Sequence, residues 1–258
     1  MHYHQYEMMQ STLFYHLIHH KSLHCILPKD MNKFPHLHWL LLIYLYNMQC
    51  FHTNQYFPLF LLLVYLVVAI SLAIEPYSRA TWWAENIPVM IAVSILVILY
   101  FRGIRFSKIA YTLMAFFLLF HTIGGHWTFA EVPFDWGNKI LSSLPGDFLF
   151  PLGRNNFDRL GHFLIGVFVY SIAEYLYKRK LVTKRITAAV FALGLIGLWA
   201  AGYEIIEMLY AVHFGGAQAA DFLGSQGDIW DAQKDMFLDI IGGTLTGIFY
   251  YLYNRKEK

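Results

Sequence analysis

Gly227-Asp-Ile-Trp-Asp-Ala-Gln-Lys-Asp-Met-Phe-Leu-Asp239 runs without a break into an apolar segment, residues 236–253. Asp231, Asp235 and Asp239 recur at intervals of four, so a helix places them in one column. Gly242, Gly243 and Thr246 extend that column inward as small residues. Asp239 stands about one turn inside the apolar segment, where a carboxylate is costly unless it has a partner or a function. Two expectations follow: a helix embedded in a membrane, and a polar site near one end of it.

The rest of the chain agrees with the first expectation. Of its 258 residues 57% are hydrophobic and only 14% charged, far from the average soluble domain. Aromatic residues make up 18%, which suits rings seated at membrane–water interfaces. Apolar runs occupy residues 58–74, 88–101, 109–123, 160–177, 186–212 and 236–253. The second and third are short for a hydrocarbon core of about 30 Å and are expected to extend into their aromatic flanks or to tilt. Arg102, Arg105 and Lys108 make the linker after the second run basic; Lys178, Arg179, Lys180, Lys184 and Arg185 do the same after the fourth, and Arg255, Lys256 and Lys258 in the tail. The alternate loops, 75–87, 124–159 and 213–235, are poorer in Lys and Arg. The positive-inside rule then gives an all-α, polytopic helical membrane protein with about six transmembrane helices and both termini cytoplasmic. Trp82 and Trp83 read as interfacial anchors in the first outer loop. The long loop 124–159, rich in Pro, Gly and aromatic residues, reads as a segment folded against the membrane surface.

A net charge of +2 gives no footing for nucleic acid. Cys25 and Cys50 are the only cysteines, which excludes a disulfide framework or a Cys-based metal site in the main body. Nine of the thirteen histidines fall at or before His52 and follow no helical or zinc-finger spacing. Residues 1–47 are therefore read as an extension ahead of a start near Met48, with a cytoplasmic or metal-binding tail as the alternatives. Residues 48–258 are read as a single six-helix membrane domain.

With this topology, ionisable side chains gather at the outer ends of four spans. His121 and His126 close the third; Asp158 and His162, four apart on one face, open the fourth. Glu204 and Glu207 lie near the outer end of the fifth, and the aspartate column opens the sixth. Carboxylates mixed with imidazoles suit a divalent metal such as Zn, Mn or Fe, whereas oxygen ligands alone suit Mg or Ca. The same groups without a metal can work as general acid and base. Asp158, His162, Glu204, Glu207, Asp235 and Asp239 form the candidate catalytic set; His121, His126, His162, Asp231 and Asp239 form the candidate metal set. The bland reading stands beside these: headgroup-level charges, Asp158 as a helix cap, and Glu204 and Glu207 paired with Arg154 or Arg159. Glu174 with Lys178 reads as a helix-surface pair. Gly243-Thr-Leu-Thr-Gly247 reads as a close-packing motif.

His121-Thr-Ile-Gly-Gly-His126, Phe129-Ala-Glu-Val-Pro133, Phe157-Asp-Arg-Leu-Gly-His-Phe163 and Gly224-Ser-Gln-Gly-Asp-Ile-Trp-Asp-Ala-Gln-Lys-Asp-Met236 together resemble the YjdF-like bacterial inner-membrane family, from about Phe57 to the C-terminus. That resemblance implies a multi-pass inner-membrane protein and no particular reaction. Asp158-Arg159, His162-Phe163, Glu204 or Glu207, and Asp235 or Asp239 ahead of Gly242-Gly243 are more loosely similar to VanZ-like membrane proteins, with Arg159 where Lys is usual. It implies one shared polar site. Three functions remain open: an enzyme acting on a lipid-linked or cell-envelope (cell-wall) substrate at the outer leaflet, an ion-coupled transporter, and a binding or scaffold protein. Membrane lipids are partners in each.

Overall fold

A computed structural model describes residues 56–145, 148–215 and 225–255; the His-rich tract, both cysteines and the start near Met48 lie outside these residues. Among the described residues every regular element is helical. In chain order these are α1 (Tyr56–Leu72), α2 (Arg79–Phe101), α3 (Lys108–His126), α4 (Asp135–Leu141), α5 (Phe157–Ile165), α6 (Phe168–Lys178), α7 (Arg185–Tyr210), one π turn (Ala211–Gly215) and α8 (Asp231–Asn254). Among the described residues five stretches are long and apolar enough to cross a bilayer: α2, α3, α5 with α6, α7 with the start of its π turn, and α8. The apolar α1 has 17 residues, about 25 Å at roughly 1.5 Å per residue, the lower end of what a span needs. The chain is a polytopic helical membrane protein.

Its surface is apolar where a soluble bundle is polar. Leu63, Val67 and Ile70 of α1, Ile91, Ile95 and Ile98 of α2, Val190 and Leu198 of α7, and Ile248 and Leu252 of α8 all face outward. The interior is built from small residues: Ala110, Ala173, Ala188 and Ala192 are completely covered. Lipid tails solvate the outward side chains, so association of the helices depends on close packing and polar contacts rather than on escape from water.

The tightest packing joins α8 to the junction of α5 and α6. A Cβ added to Gly242 would lie 1.8 Å from the Phe163 carbonyl oxygen, and one on Gly166 would lie 2.2 Å from the Gly242 carbonyl carbon. Backbone meets backbone there, with no room for a side chain. A Cβ on Gly243 would meet Leu193 and Val169, and one on Gly247 would rest against Val169 and Ala189. The small column expected from the sequence is thus the seam along which α8 packs on α5, α6 and α7. It also sets the depth of the chemistry, because His162 directly precedes Phe163 and Asp239 lies about one turn before Gly242.

Three expectations need correction. The second span begins at Arg79 rather than near Pro88, so residues 79–87 are helix and not outer loop. Ser78 caps it, accepting from the Thr81 N–H at 3.3 Å, and Pro88 lies inside it. Proline breaks helices in water, but in membrane helices neighbouring groups take up the freed backbone positions. Trp82 is accordingly buried in the first turns of α2, while Trp83 is half exposed. Glu174 is buried too: it accepts from the Ser107 N–H (2.7 Å), the Ser107 hydroxyl (2.5 Å) and Lys178 Nζ (2.6 Å). Ser107 is the N-cap of α3, so Glu174 ties α6 to the positive end of that helix's dipole. Asp158 does not cap α5; Asn156 holds the N-cap position.

The seam yields a contrast between two glycines. Gly242→Ala drives a methyl into the Phe163 carbonyl and is expected to destabilise the protein by about 3 kcal/mol or more, the upper range of overpacking. Gly197→Ala meets nothing within 4 Å in mid-helix and is expected to be neutral or stabilising by up to about 1 kcal/mol. Thermal unfolding of both variants in one detergent checks the pair; equal behaviour refutes the seam.

Candidate functional site

The ionisable groups at the outer end of the bundle fall into three layers. Outermost is a strap of charge pairs. Arg159, fully buried, donates through Nη2 to Asp228 Oδ2 (2.5 Å) and Asp231 Oδ1 (2.9 Å), and through Nη1 to the Leu149 carbonyl. Arg154 reaches Asp231 Oδ1 at 2.7 Å and the Ser225 carbonyl at 2.5 Å. Lys234 reaches Asp228 Oδ2 at 2.6 Å. Burial pushes the Asp228 carboxyl up, but Lys234, Arg159 and the Trp230 N–H outweigh it and hold the group well below the usual carboxylate range. The loop before α5 is shaped to deliver these arginines. Asn155 donates to the carbonyls of Ala130 and Val132, both at 2.8 Å, and the Asn156 N–H donates to Asn138 Oδ1 at 2.8 Å. Beneath it Phe129, Val132, Phe134 and Phe157 form an apolar cluster, with Phe120 stacked on Phe157 at 4.1 Å between centroids.

The middle layer centres on His162. Its Nδ1 lies 3.3 and 3.4 Å from the two oxygens of Asp239, which is almost wholly buried. Its Nε2 lies 3.8 Å from Asp158 Oδ1 and 3.9 Å from Glu204 Oε1. One ligand atom each from Asp158, His162 and Asp235 lie within 4.8 Å of one another, the spacing at which a metal ion could bridge them. Asp235 is 2% exposed, and its Oδ1 has no hydrogen-bond partner; the nearest cationic atom, Arg159 Nε, is 3.9 Å away.

The third layer faces His162 from α2, α3 and α7. Glu85, deeply buried, accepts from the Tyr203 hydroxyl at 3.0 Å. His121 Nε2 donates to the Glu85 carbonyl at 3.1 Å and stands 3.5 Å from its carboxylate. Gly125 makes this approach possible, since a Cβ there would lie 2.8 Å from the Asn86 amide nitrogen and 3.1 Å from the Glu85 side chain.

A cavity of about 390 Å³ connects the second and third layers, within the size range of small-molecule sites. Glu85, His121, Asp158, His162, Tyr203, Glu207 and Asp239 line one end. Val89, Ala92 and Ile95 of α2 and Leu195, Trp199 and Ala200 of α7 form the walls beyond. α2 packs chiefly on α3, and α7 on α6 and α8, so the cavity separates α2 from α7. From Glu207 to Leu195 it follows α7 for about 18 Å at roughly 1.5 Å per residue.

The proposed residues therefore separate. Asp158, His162, Glu204, Asp235 and Asp239 come together, and Glu207 lines the same cavity. Asp231 is held by both arginines instead of facing His162. His121 belongs to the Glu85 layer, and His126 leaves the site altogether: its Nδ1 donates to the Leu72 carbonyl at 2.7 Å, joining the ends of α1 and α3. Neither glutamate pairs with Arg154 or Arg159; those two cations go to Asp228, Asp231 and Asp158. Glu85 and Tyr203 were not among the expected residues. Allowing Pro88 inside a membrane helix is the signal that would have exposed Glu85; for Tyr203 only its place beside Glu204 pointed to it.

An apolar, multi-span helical bundle with a buried polar cluster at one end defines an integral membrane protein. The chain belongs to the family of predicted membrane proteins DUF2238, which matches residues 57–256. It is similar to the inner membrane protein YjdF of Escherichia coli (strain K12), at 32% identity over 192 residues, covering 74% of this chain and 87% of the relative. With its several spans it is a multi-pass inner-membrane protein. No solved structure matches it. The VanZ-like pattern rests on the residues alone.

Arg159→Ala takes one of two cations from both Asp228 and Asp231, which keep Lys234 and Arg154, and is expected to cost up to about 3 kcal/mol of stability, the lower edge for a broken buried pair. Arg159→Lys is expected to recover only part, because an ammonium cannot reproduce the guanidinium fork. Thermal unfolding of both variants reads this directly. The strap also has a pH signature. Asp228 has a depressed folded-state pKa, so its contribution is full above the unfolded value of about 3.9 and is lost as pH falls through the folded value. The stability gap between the protein and Asp228→Asn should stay level from pH 7 to about pH 4 and close only below. A gap that narrows between pH 7 and 5 contradicts the assignment.

Proposed function

We propose that the protein binds an amphipathic, lipid-linked substrate from the outer leaflet and acts on its headgroup. The observation that carries this reading is one cavity, about 18 Å long in all, that joins a carboxylate and imidazole end to an apolar wall. That length matches about one leaflet, half of a hydrocarbon core of roughly 30 Å. A headgroup would rest among Glu85, Asp158, His162, Tyr203, Glu207 and Asp239, with an acyl chain between α2 and α7. His162, oriented by Asp239, is the candidate general base, and Asp158 and Glu204 at its other nitrogen are candidate proton donors. An ion-coupled carrier has less support. Toward the cytoplasmic end the interior closes with Ala110, Val169, Ala173, Ala188, Ala192 and Tyr250, and Glu174, the buried acid there, is engaged by Ser107 and Lys178.

Lipid extraction of the purified protein followed by mass spectrometry tests the reading. An amphiphile is expected at about one per chain, reduced by tenfold or more in Ala200→Trp, whose indole fills the groove. Ala92→Phe, on the facing wall, gives the same readout if Ala200→Trp does not fold. Lipid content unchanged in folded blocking variants sinks the proposal. Loss of the amphiphile in those variants, with full envelope function retained in His162→Gln, would make the protein a binder and not an enzyme.

A further inference from the structure

We infer that Asp158, His162 and Asp235 form a site for a divalent first-row transition-metal ion, with Asp239 as the residue that orients His162. This goes beyond the substrate reading, whose cavity it does not require, and it turns His162 from general base into ligand.

Four observations converge. First, the three side chains come from two different elements, α5 and α8, yet one ligand atom of each lies within 4.8 Å of the others. Such spacing follows from the glycine seam, which locks those elements in register. Second, Asp235 Oδ1 is buried and has no hydrogen-bond partner, and neither does Glu204 Oε1, which stands 3.9 Å from His162 Nε2. A buried carboxylate oxygen normally has a partner, and buried charge is paired or coordinates a metal. Third, the cations nearby make their hydrogen bonds elsewhere. Arg159 is held by Asp228 and Asp231 and Arg154 by Asp231, while Arg159 Nε and Arg154 Nη2 come only to 3.9 Å from Asp235 and Asp158, beyond hydrogen-bond length. Asp158, Asp235, Asp239 and Glu204 thus surround a single imidazole. Fourth, Asp239 contacts His162 through Nδ1 while Nε2 faces Asp158 and Glu204. A carboxylate on the far nitrogen is the usual means of fixing the tautomer and plane of a metal-binding histidine.

One imidazole with two carboxylates, and Glu204 within reach as a further oxygen donor, is a mixed N/O set that suits Zn²⁺, Mn²⁺ or Fe²⁺ better than Ca²⁺ or Mg²⁺. An ion held there would polarise a phosphoryl or carbonyl oxygen, or acidify a bound water, beside the cavity that takes the headgroup. The metal set expected from the sequence changes accordingly: His162 stays, Asp158 and Asp235 enter, Asp239 supports, and His121, His126 and Asp231 leave.

The test uses the full chain in detergent, stripped with chelator, with amphiphile content measured separately so that the two proposals fail independently. Titration with Zn²⁺, Mn²⁺ and Co²⁺, each alone, is expected to show about one ion per chain, with visible Co²⁺ bands that report the coordination geometry. His162→Gln and Asp235→Asn are expected to abolish binding, and Asp239→Asn to weaken it by about 10–100-fold. Glu131→Gln, at an exposed outer-loop position, should bind as the unaltered protein does. Unfolding curves of the metal-free variants show whether each is folded. If Asp235→Asn is not, Asp158→Asn, whose carboxylate is less buried, replaces it. Failure of the folded protein to retain any of the three ions, or equal retention by the folded ligand variants, overturns the inference.

Discussion

The close approach of Gly166 and Gly242 is the contact on which the rest depends. Apolar side chains gain little by leaving lipid for a protein interior, so helices in a bilayer need another reason to associate. Here two backbones meet with no side chain between them. Contact that close fixes both rotation and depth, because sliding α8 by one residue would bring Ile241 into the place of Gly242, or Thr244 into that of Gly243, and either side chain would clash. His162 and Asp239 lie within a turn of the contact and inherit its precision. The polar site is therefore positioned by residues that have no chemistry of their own.

The aspartate column does two different jobs along one helix. At its outer end Asp231, helped by Asp228, holds Arg154 and Arg159. One and two turns deeper, Asp235 and Asp239 face His162 instead. Burying an arginine beside carboxylates recovers its desolvation cost only when several hydrogen bonds are made at once, and Arg159 makes three. That geometry binds the loop before α5 to the start of α8 and holds the guanidinium groups 3.9 Å from the inner carboxylates Asp158 and Asp235, beyond hydrogen-bond length. Without the strap, either arginine could neutralise the inner carboxylates directly.

Hydropathy and the distribution of Lys and Arg were enough to read the bundle, since each span carries its own apolar signal. The meeting of α5, α7 and α8 was also readable, because acids and imidazoles stood at equivalent ends of separate spans. What could not be read was partner choice. A spacing of four puts Asp231, Asp235 and Asp239 on one face but does not say which of them meets an arginine carried by a distant loop. The two histidines of His121-Thr-Ile-Gly-Gly-His126 are a different matter. Five residues apart, they point about 140° away from each other at roughly 100° per residue, so a single site could not take both. One faces Glu85 and the other the end of α1. Glu85 escaped notice for a local reason, Pro88, which looked like the boundary of a span and is an interior residue of it.

The sign of charge in the cavity narrows what can enter it. Its polar end carries Glu85, Asp158, Glu207 and Asp239 against His121 and His162. The arginines spend their hydrogen bonds in the strap, and Arg154 comes only to 3.9 Å from Asp158. A phosphorylated headgroup in such a place would meet carboxylates and find no guanidinium to form the two-pronged contacts by which phosphate is usually held. Recognition of a phosphate there requires a cation between it and the acids; a headgroup bearing its own ammonium requires none. On the proposed reading the strap, by holding the arginines' hydrogen bonds, shapes which ligand the cavity would take as much as the residues that line it do.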